Sequence, residues 1–282
     1  MKTGVIDVGG GLRGIYAAGV FDHCLDEKIV FDFGIGISAG SANLASYMSG
    51  QRGRNYKFYQ EYSGRKEYMG AGNLLRHHTF INLDYIYGTL SNSGGENPLD
   101  YEAFMANPME WYMAATNAKT GKPHYFGRED VKRDDYNILK ASCAIPVVCP
   151  PQRIDGVPYY DGALGNPVPI QKAFDCGCDK VVLILTKPEG RLKASTADDR
   201  LARCLKHKYP QAAKQMALRI VHYNEGIKLA QEYAKEGKVL IAAPDDTCGV
   251  DTLTRDKQAL NRLYEKGYKD AADIRAFIDA PA

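Results

Sequence analysis

The sequence predicts an α/β fold, in which helices cover a mainly parallel sheet and a mostly helical C-terminal part follows. Three observations carry this expectation. Two short apolar runs near the start each end in glycine and lead into helical spacing. Residues 181–186, VVLILT, form the most apolar run of the chain and read as a strand buried on both faces. After KPEG, residues 187–190, the composition shifts to helix formers with charges on one face.

The elements follow in order. Residues 4–8 read as a first buried strand, and Ile15, Ala18, Val20, Phe21 and Leu25 give helical spacing over 14–27. Phe31 to Ile37 is a second strand, and the small and apolar residues from Ala39 to Met48 suggest a second helix. Residues 51–80 are rich in Tyr, Arg and Gly and hold a helix and loops, and SNSGGENP (91–98) is a loop. A strand over 111–115 turns at TNAKTG and returns at 124–126. Residues 129–141 are expected as a helix. Asp155-Gly156, flanked by Arg153–Ile154 and Val157–Tyr160, signals a tight hairpin. Beyond the strand at 180–186 come helical residues 196–236, a single strand at 239–243 and helix again over 254–279. The division expected is a catalytic domain over 1–190 and a mostly helical extension over 191–282.

Composition narrows the function. Apolar residues make up 45% and charged residues 25%, which excludes a wholly disordered chain. A net charge of +2 gives no field that would favour nucleic acid. No run approaches 18 apolar residues, and the start lacks a signal-peptide core, so a cytoplasmic protein is expected, with peripheral membrane contact left open. Seven irregularly spaced cysteines suit free thiols. Cys176-Gly-Cys178 has no second pair at zinc-ligand spacing, and the acidic pairs 134–135, 198–199 and 245–246 read as helix starts or solvated loops. No metal and no cofactor is expected.

Three motifs carry chemistry. Gly36-Ile37-Ser38-Ala39-Gly40 is a G-x-S-x-G between a strand and a helix. A serine there sits on a strained turn with its Oγ exposed, beside the positive end of a helix. Gly9-Gly10-Gly11-Leu12-Arg13-Gly14 closes the first strand, and consecutive glycines can turn their N–H groups into one anion nest. Asp161-Gly162-Ala163 is only a turn by itself; beside the other two motifs it supplies a candidate base.

The glycine run also spells G-x-G-x-x-G, the dinucleotide fingerprint. That alternative, an oxidoreductase, wants an acidic residue at the end of the second strand, whereas Asp32 lies at its start. An α/β-hydrolase triad wants several strands before the serine and a histidine last in the chain. Here one or two strands precede Ser38, and His207 and His222 lie in a charged helical region. A third reading is a non-catalytic lipid-binding module, against which the intact Ser38, Asp161 and glycine loop stand.

These motifs, in this order, resemble the patatin-like phospholipases. GGGLRG resembles the family's oxyanion loop, GISAG its nucleophile elbow, and ASCAIPVVCPPQRIDGVPYYDGAL (141–164) its approach to the aspartate; ATNAKTGKPHYF (115–126) is also similar. The likeness runs through roughly residues 4–190, and the tail resembles the C-terminal extension of bacterial patatin-like proteins. The resemblance implies a three-layer α/β/α fold and a Ser–Asp dyad without histidine. Ser38 is then the nucleophile and Asp161 the base. Gly9, Gly10, Gly11, Arg13 and Gly14 form the oxyanion loop, Gly36, Ala39 and Gly40 the elbow, and Gly162 and Ala163 the aspartate motif. It also implies a lipid or ester substrate. Tyr56, Tyr59, Tyr62, Tyr68, Tyr85 and Tyr87 are either acyl-groove residues or half-buried surface tyrosines. The cations Arg200, Arg203, Lys206, Lys208, Lys214 and Arg219 make either a membrane-contact patch or a solvated helix face.

Overall fold

The computed structural model describes residues 1–190, 192 and 196–281. In chain order the strands and helices are β1 (Thr3–Asp7), α1 (Ile15–Asp26), β2 (Phe33–Ile37), α2 (Ala39–Met48), α3 (Arg54–Gln60), α4 (Ala71–His77), α5 (Tyr101–Ala106), β3 (Glu110–Asn117), β4 (Pro123–Phe126), α6 (Asn137–Cys143), β5 (Gln152–Ile154), β6 (Val157–Asp161), α7 (Ile170–Asp175), β7 (Lys180–Ile184), α8 (Thr196–Leu205), α9 (Pro210–Lys235), β8 (Val239–Ala242), α10 (Lys257–Asp270) and α11 (Ile274–Asp279). Among the described residues no helix is long and apolar enough to cross a membrane.

The strands form one sheet in the order β5-β6-β3-β2-β1-β7-β8, with β4 also on β3. The central pairs β3–β2, β2–β1, β1–β7 and β7–β8 are parallel. Those of β3 with β4 and β6, and of β5 with β6, are antiparallel. Both faces of the sheet are apolar, as a covered parallel sheet requires. Val5, Val182 and Ile184 point into one core with α1, α2 and α10, while the alternate residues Ile6, Val181 and Leu183 point into a second with α7 and α9. The molecule is therefore three layers deep, with a mixed α/β fold and a helical C-terminal part.

The register at β3 places the ends of β2 and β6 together. β4 pairs with residues 113–116 of β3. β2 pairs up to Ile37–Ala114 and β6 from Asp161–Ala115, so both overlap β4 along β3. A strand residue has only two edges, so β4 takes one edge and β2 and β6 share the other. Their C-terminal residues, Ile37 and Asp161, then face neighbouring residues of β3.

The C-terminal part is built into this frame. β8 pairs with β7, and α10 crosses α1 so closely that a Cβ on Gly267 would lie 2.0 Å from the carbonyl oxygen of Tyr16. At that crossing the Tyr16 hydroxyl donates to Asp270 at 2.9 Å.

One element differs from expectation. The helix expected over 129–141 begins only at Asn137. Before it the chain makes a short 3-10 turn, Arg128–Asp130, and Val131 is extended. Asp134 then has φ +59°, outside the helical range. The Asp155-Gly156 hairpin forms between β5 and β6, with φ of +49° and +75° at its two central residues, the geometry that favours Asp-Gly.

Candidate active site

Ser38 joins β2 to α2 at φ +55° and ψ −131°, a conformation that costs a non-glycine residue of order 1–3 kcal/mol. Ser142 of α6 holds it there. Its Oγ accepts the Ser38 N–H at 2.8 Å and lies 2.8 Å from the Ser41 hydroxyl. Gly36, Ala39 and Gly40 flank the turn, as the sequence places them.

Asp161 ends β6, and the register described above delivers it beside Ser38. Its carboxylate accepts the Ala163 N–H at 2.9 Å, and Ser38 lies near enough to pull its pKa down. Its backbone is pinned from both sides: the Asp161 N–H donates to Ala144 at 2.9 Å and the Thr116 hydroxyl donates to its carbonyl at 2.8 Å. Asp161 is only 3% exposed. Burial pushes its pKa up to about 6, against the pull of Ser38, the Ala163 N–H and Arg219.

The glycine turn lies beside this pair. Gly9, Gly10 and Gly11 have φ of +68°, +135° and +62°, conformations open to glycine and strained for other residues. The Gly9 N–H is taken by Asp7 at 2.8 Å and the Leu12 N–H by the Thr252 carbonyl at 3.0 Å. Among the described residues, the N–H groups of Gly10 and Gly11 have no such partner. The Thr186 hydroxyl donates to the Gly9 carbonyl. Arg13 is buried, and its Nη1 donates to Asp251 at 2.8 Å and to Thr252 Oγ1 at 3.0 Å. Gly14 is held through its carbonyl, which accepts from Asn43 Nδ2 at 2.9 Å.

Two cavities meet at Ser38. One, of about 260 Å³, is lined by the glycine turn, Ser38 and Asp161, and by the cations Arg13, Lys187 and Arg219. The other, of about 70 Å³, is apolar and lined by residues such as Phe58, Tyr59, Tyr68, Met69, Ile86 and Tyr87. No histidine lines either cavity among the described residues. Of the tyrosines singled out over 56–87, three therefore face the apolar cavity. Of the basic patch over 200–219, Arg219 turns into the polar cavity and the other five cations are exposed.

The geometry also bears on the dinucleotide alternative. Asp32 accepts the N–H and the hydroxyl of Thr3 at 2.7 and 3.0 Å, at the start of β1. The glycine turn is at the other end of that strand, so Asp32 and the nest cannot hold one ribose diphosphate between them.

Several residues of the site carry no signal in a local motif. Asp7 is fully buried beneath the turn, bonded to Gly9 and, at 2.9 Å, to Asn43 Nδ2. The Tyr59 hydroxyl donates to Asn43 Oδ1 at 3.0 Å, which ties α3, α2 and β1 together. Burial raises the Asp7 pKa to about 7. Its one legible signal is a charge in an otherwise apolar strand. Ser142, Thr186 and Thr252 gave none.

A buried serine at a strained strand-to-helix turn shares a cavity with a buried carboxylate and open backbone donors, the kind of arrangement serine hydrolases use. The comparisons make this specific. Residues 8–174 match the model of the patatin-like phospholipase family, and the chain belongs to it. Residues 209–278 match a domain of unknown function, DUF6363. The chain is 28% identical over 192 residues to YjjU of Escherichia coli K12, an uncharacterized protein, covering 66% of this chain and 52% of YjjU. It thus spans about half the length of that curated relative. The crystal structure of VipD from Legionella pneumophila is similar over 98% of this chain and 67% of its own, with a TM-score of 0.48 and 12% identity. Family membership supports lipid acyl hydrolase activity in general terms.

Proposed function

We propose that this protein hydrolyses carboxylic esters of lipids through a Ser38–Asp161 dyad and an acyl-enzyme. The observation that carries the reading is the convergence of Ser38, the buried Asp161 carboxylate and a glycine turn with open N–H groups on one cavity.

Asp161 accepts the Oγ proton as Ser38 attacks the ester carbonyl carbon. The carbonyl π pair moves to oxygen, where the Gly10 and Gly11 N–H groups stabilise the charge. As the tetrahedral intermediate collapses, the bond to the alcohol breaks and the alcohol leaves with the proton held by Asp161. Water then attacks the acyl-enzyme, Asp161 takes its proton, and the return of that proton to Oγ releases the acid. A carboxylate of ordinary pKa is a weak base at neutral pH, whereas one near 6 is stronger and still mostly ionised at pH 7. The apolar cavity takes the acyl chain and the polar cavity the alcohol. Peripheral contact with a lipid surface belongs to the same proposal.

The test is hydrolysis of a panel of glycerolipid and simple esters by wild type, Ser38→Ala and Asp161→Asn. Turnover by the wild type and its loss in both variants, with folds retained by circular dichroism, is the expected result. Turnover persisting in pure Ser38→Ala would overturn the reading.

A further inference from the structure

The cavity beside Ser38 is lined by three cations and three carboxylates, yet one of the cations has no carboxylate partner among the described residues. Three cations line it: Arg13 after β1, Lys187 after β7 and Arg219 on α9. Two carboxylates are engaged. Asp251 takes Arg13 at 2.8 Å, and Asp198 takes Arg219 through Nη2 at 2.7 Å and Nε at 3.1 Å. Lys187 is the third cation, and among the described residues no carboxylate lies within ion-pair distance of its ammonium. The Arg13 Nε–H is buried and likewise has no acceptor among them. Partial burial, together with the two neighbouring guanidinium groups, pushes the Lys187 pKa down to about 8. An arrangement of this kind is costly while empty and is relieved by an anion of the substrate.

We propose that Lys187 and Arg219 form an anion subsite that reads a negatively charged group on the leaving alcohol of the ester. Arg219 lies within the region matched to the domain of unknown function, so that region acquires a stated role: it completes the alcohol side of the active-site cavity. Arg13 is engaged by Asp251 and Thr252, which leaves Lys187 as the cation without a carboxylate among the described residues and Arg219, held by Asp198, as its neighbour on the cavity. The inference rests on the hydrolase reading for its catalytic consequence and on the cavity alone for binding.

The experiment uses three butyrate esters matched in size: those of glycerol 3-phosphate, of glycerate and of glycerol. It compares their kcat/KM in wild type, Lys187→Gln, Arg219→Gln and Arg219→Lys. Glycerol 3-phosphate and glycerol are titrated calorimetrically in parallel. The wild type is expected to favour an anionic ester over the neutral one, and loss of one charge-assisted contact should cut that ratio about 10-fold. Arg219→Lys should restore much of it, which separates charge from a packing defect. A phosphate ester preferred over the glycerate ester assigns a phosphate headgroup, and the reverse order a carboxylate. Turnover of all three esters at equal kcat/KM, with no change in Lys187→Gln, overturns the subsite and leaves the hydrolase reading standing. Binding of glycerol 3-phosphate that depends on Lys187, without turnover of any ester, supports the subsite and overturns the hydrolase reading. Neither binding nor turnover overturns both.

Discussion

At the scale of single residues, the proposed role of Asp161 as base depends on its burial. Its carboxyl must be ionised to take the serine proton, and its pKa in the folded protein is raised to about 6. We expect kcat/KM to fall tenfold per pH unit below about pH 6 and to level off above it, because the protonated form cannot act. A pH–rate profile on a soluble ester checks this; an acid limb near pH 4 would mean an unperturbed carboxylate. The same shift carries a stability consequence. The folded state binds a proton more tightly than the unfolded chain, so it is favoured at low pH and loses that advantage as pH rises from about 4 through about 6. Asp161→Asn removes the buried charge and can keep the bond from the Ala163 N–H on its amide oxygen. It should be inactive yet more stable than the wild type at pH 8, by about 3 kcal/mol, with the gap closing toward pH 4. Denaturant melts at the two pH values measure it.

Residues whose chemistry depends on local spacing were legible in the sequence: Ser38 on its turn, the glycine run, and Asp161 before Gly162. Asp7 and Asn43 were not, nor was the bond from Tyr59 to Asn43, because these hydrogen bonds join three elements and no local pattern records which will meet. Arg219 shows the same limit. On a helix carrying many cations, an inward arginine and a solvated one look alike until the neighbouring elements are placed.

At the scale of elements, the sharp joint between β2 and α2 depends on α6. Ser142 supplies the acceptor for the Ser38 N–H. Ser142→Ala leaves that buried donor unpaired, a loss of about 1–3 kcal/mol. We expect melting to shift down accordingly and kcat to fall about 10-fold, with KM little changed, as the serine drifts from its position. A normal kcat in Ser142→Ala would show that the turn holds without α6. Strands and helices with strong periodicity were legible, as was the β5–β6 hairpin, where Asp155 and Gly156 adopt the positive φ their residue types tolerate. The segment before α6 was misread because its apolar spacing suits a helix, whereas Asp134 at positive φ and the extended Val131 interrupt it.

At the scale of the whole molecule, the sequence announced an α/β fold and a change of composition near residue 190, but not how the two parts interlock. β8 extends the sheet beyond β7, α10 covers α1, and Thr252 meets the glycine turn. These are contacts between residues far apart in the chain, invisible to local pattern. A protein truncated after residue 190 exposes the edge of β7 and the apolar face of α1, so we expect it to aggregate or remain unfolded in size-exclusion and circular dichroism experiments. The proposed chemistry requires the fold to activate one serine. The most direct measurement is reaction of the purified protein with a fluorophosphonate probe, followed by peptide mass mapping, beside Ser38→Ala. The account requires a single adduct on Ser38, absent from the variant. An unlabelled wild type shown to be folded, or an adduct on another residue that survives in Ser38→Ala, would contradict it.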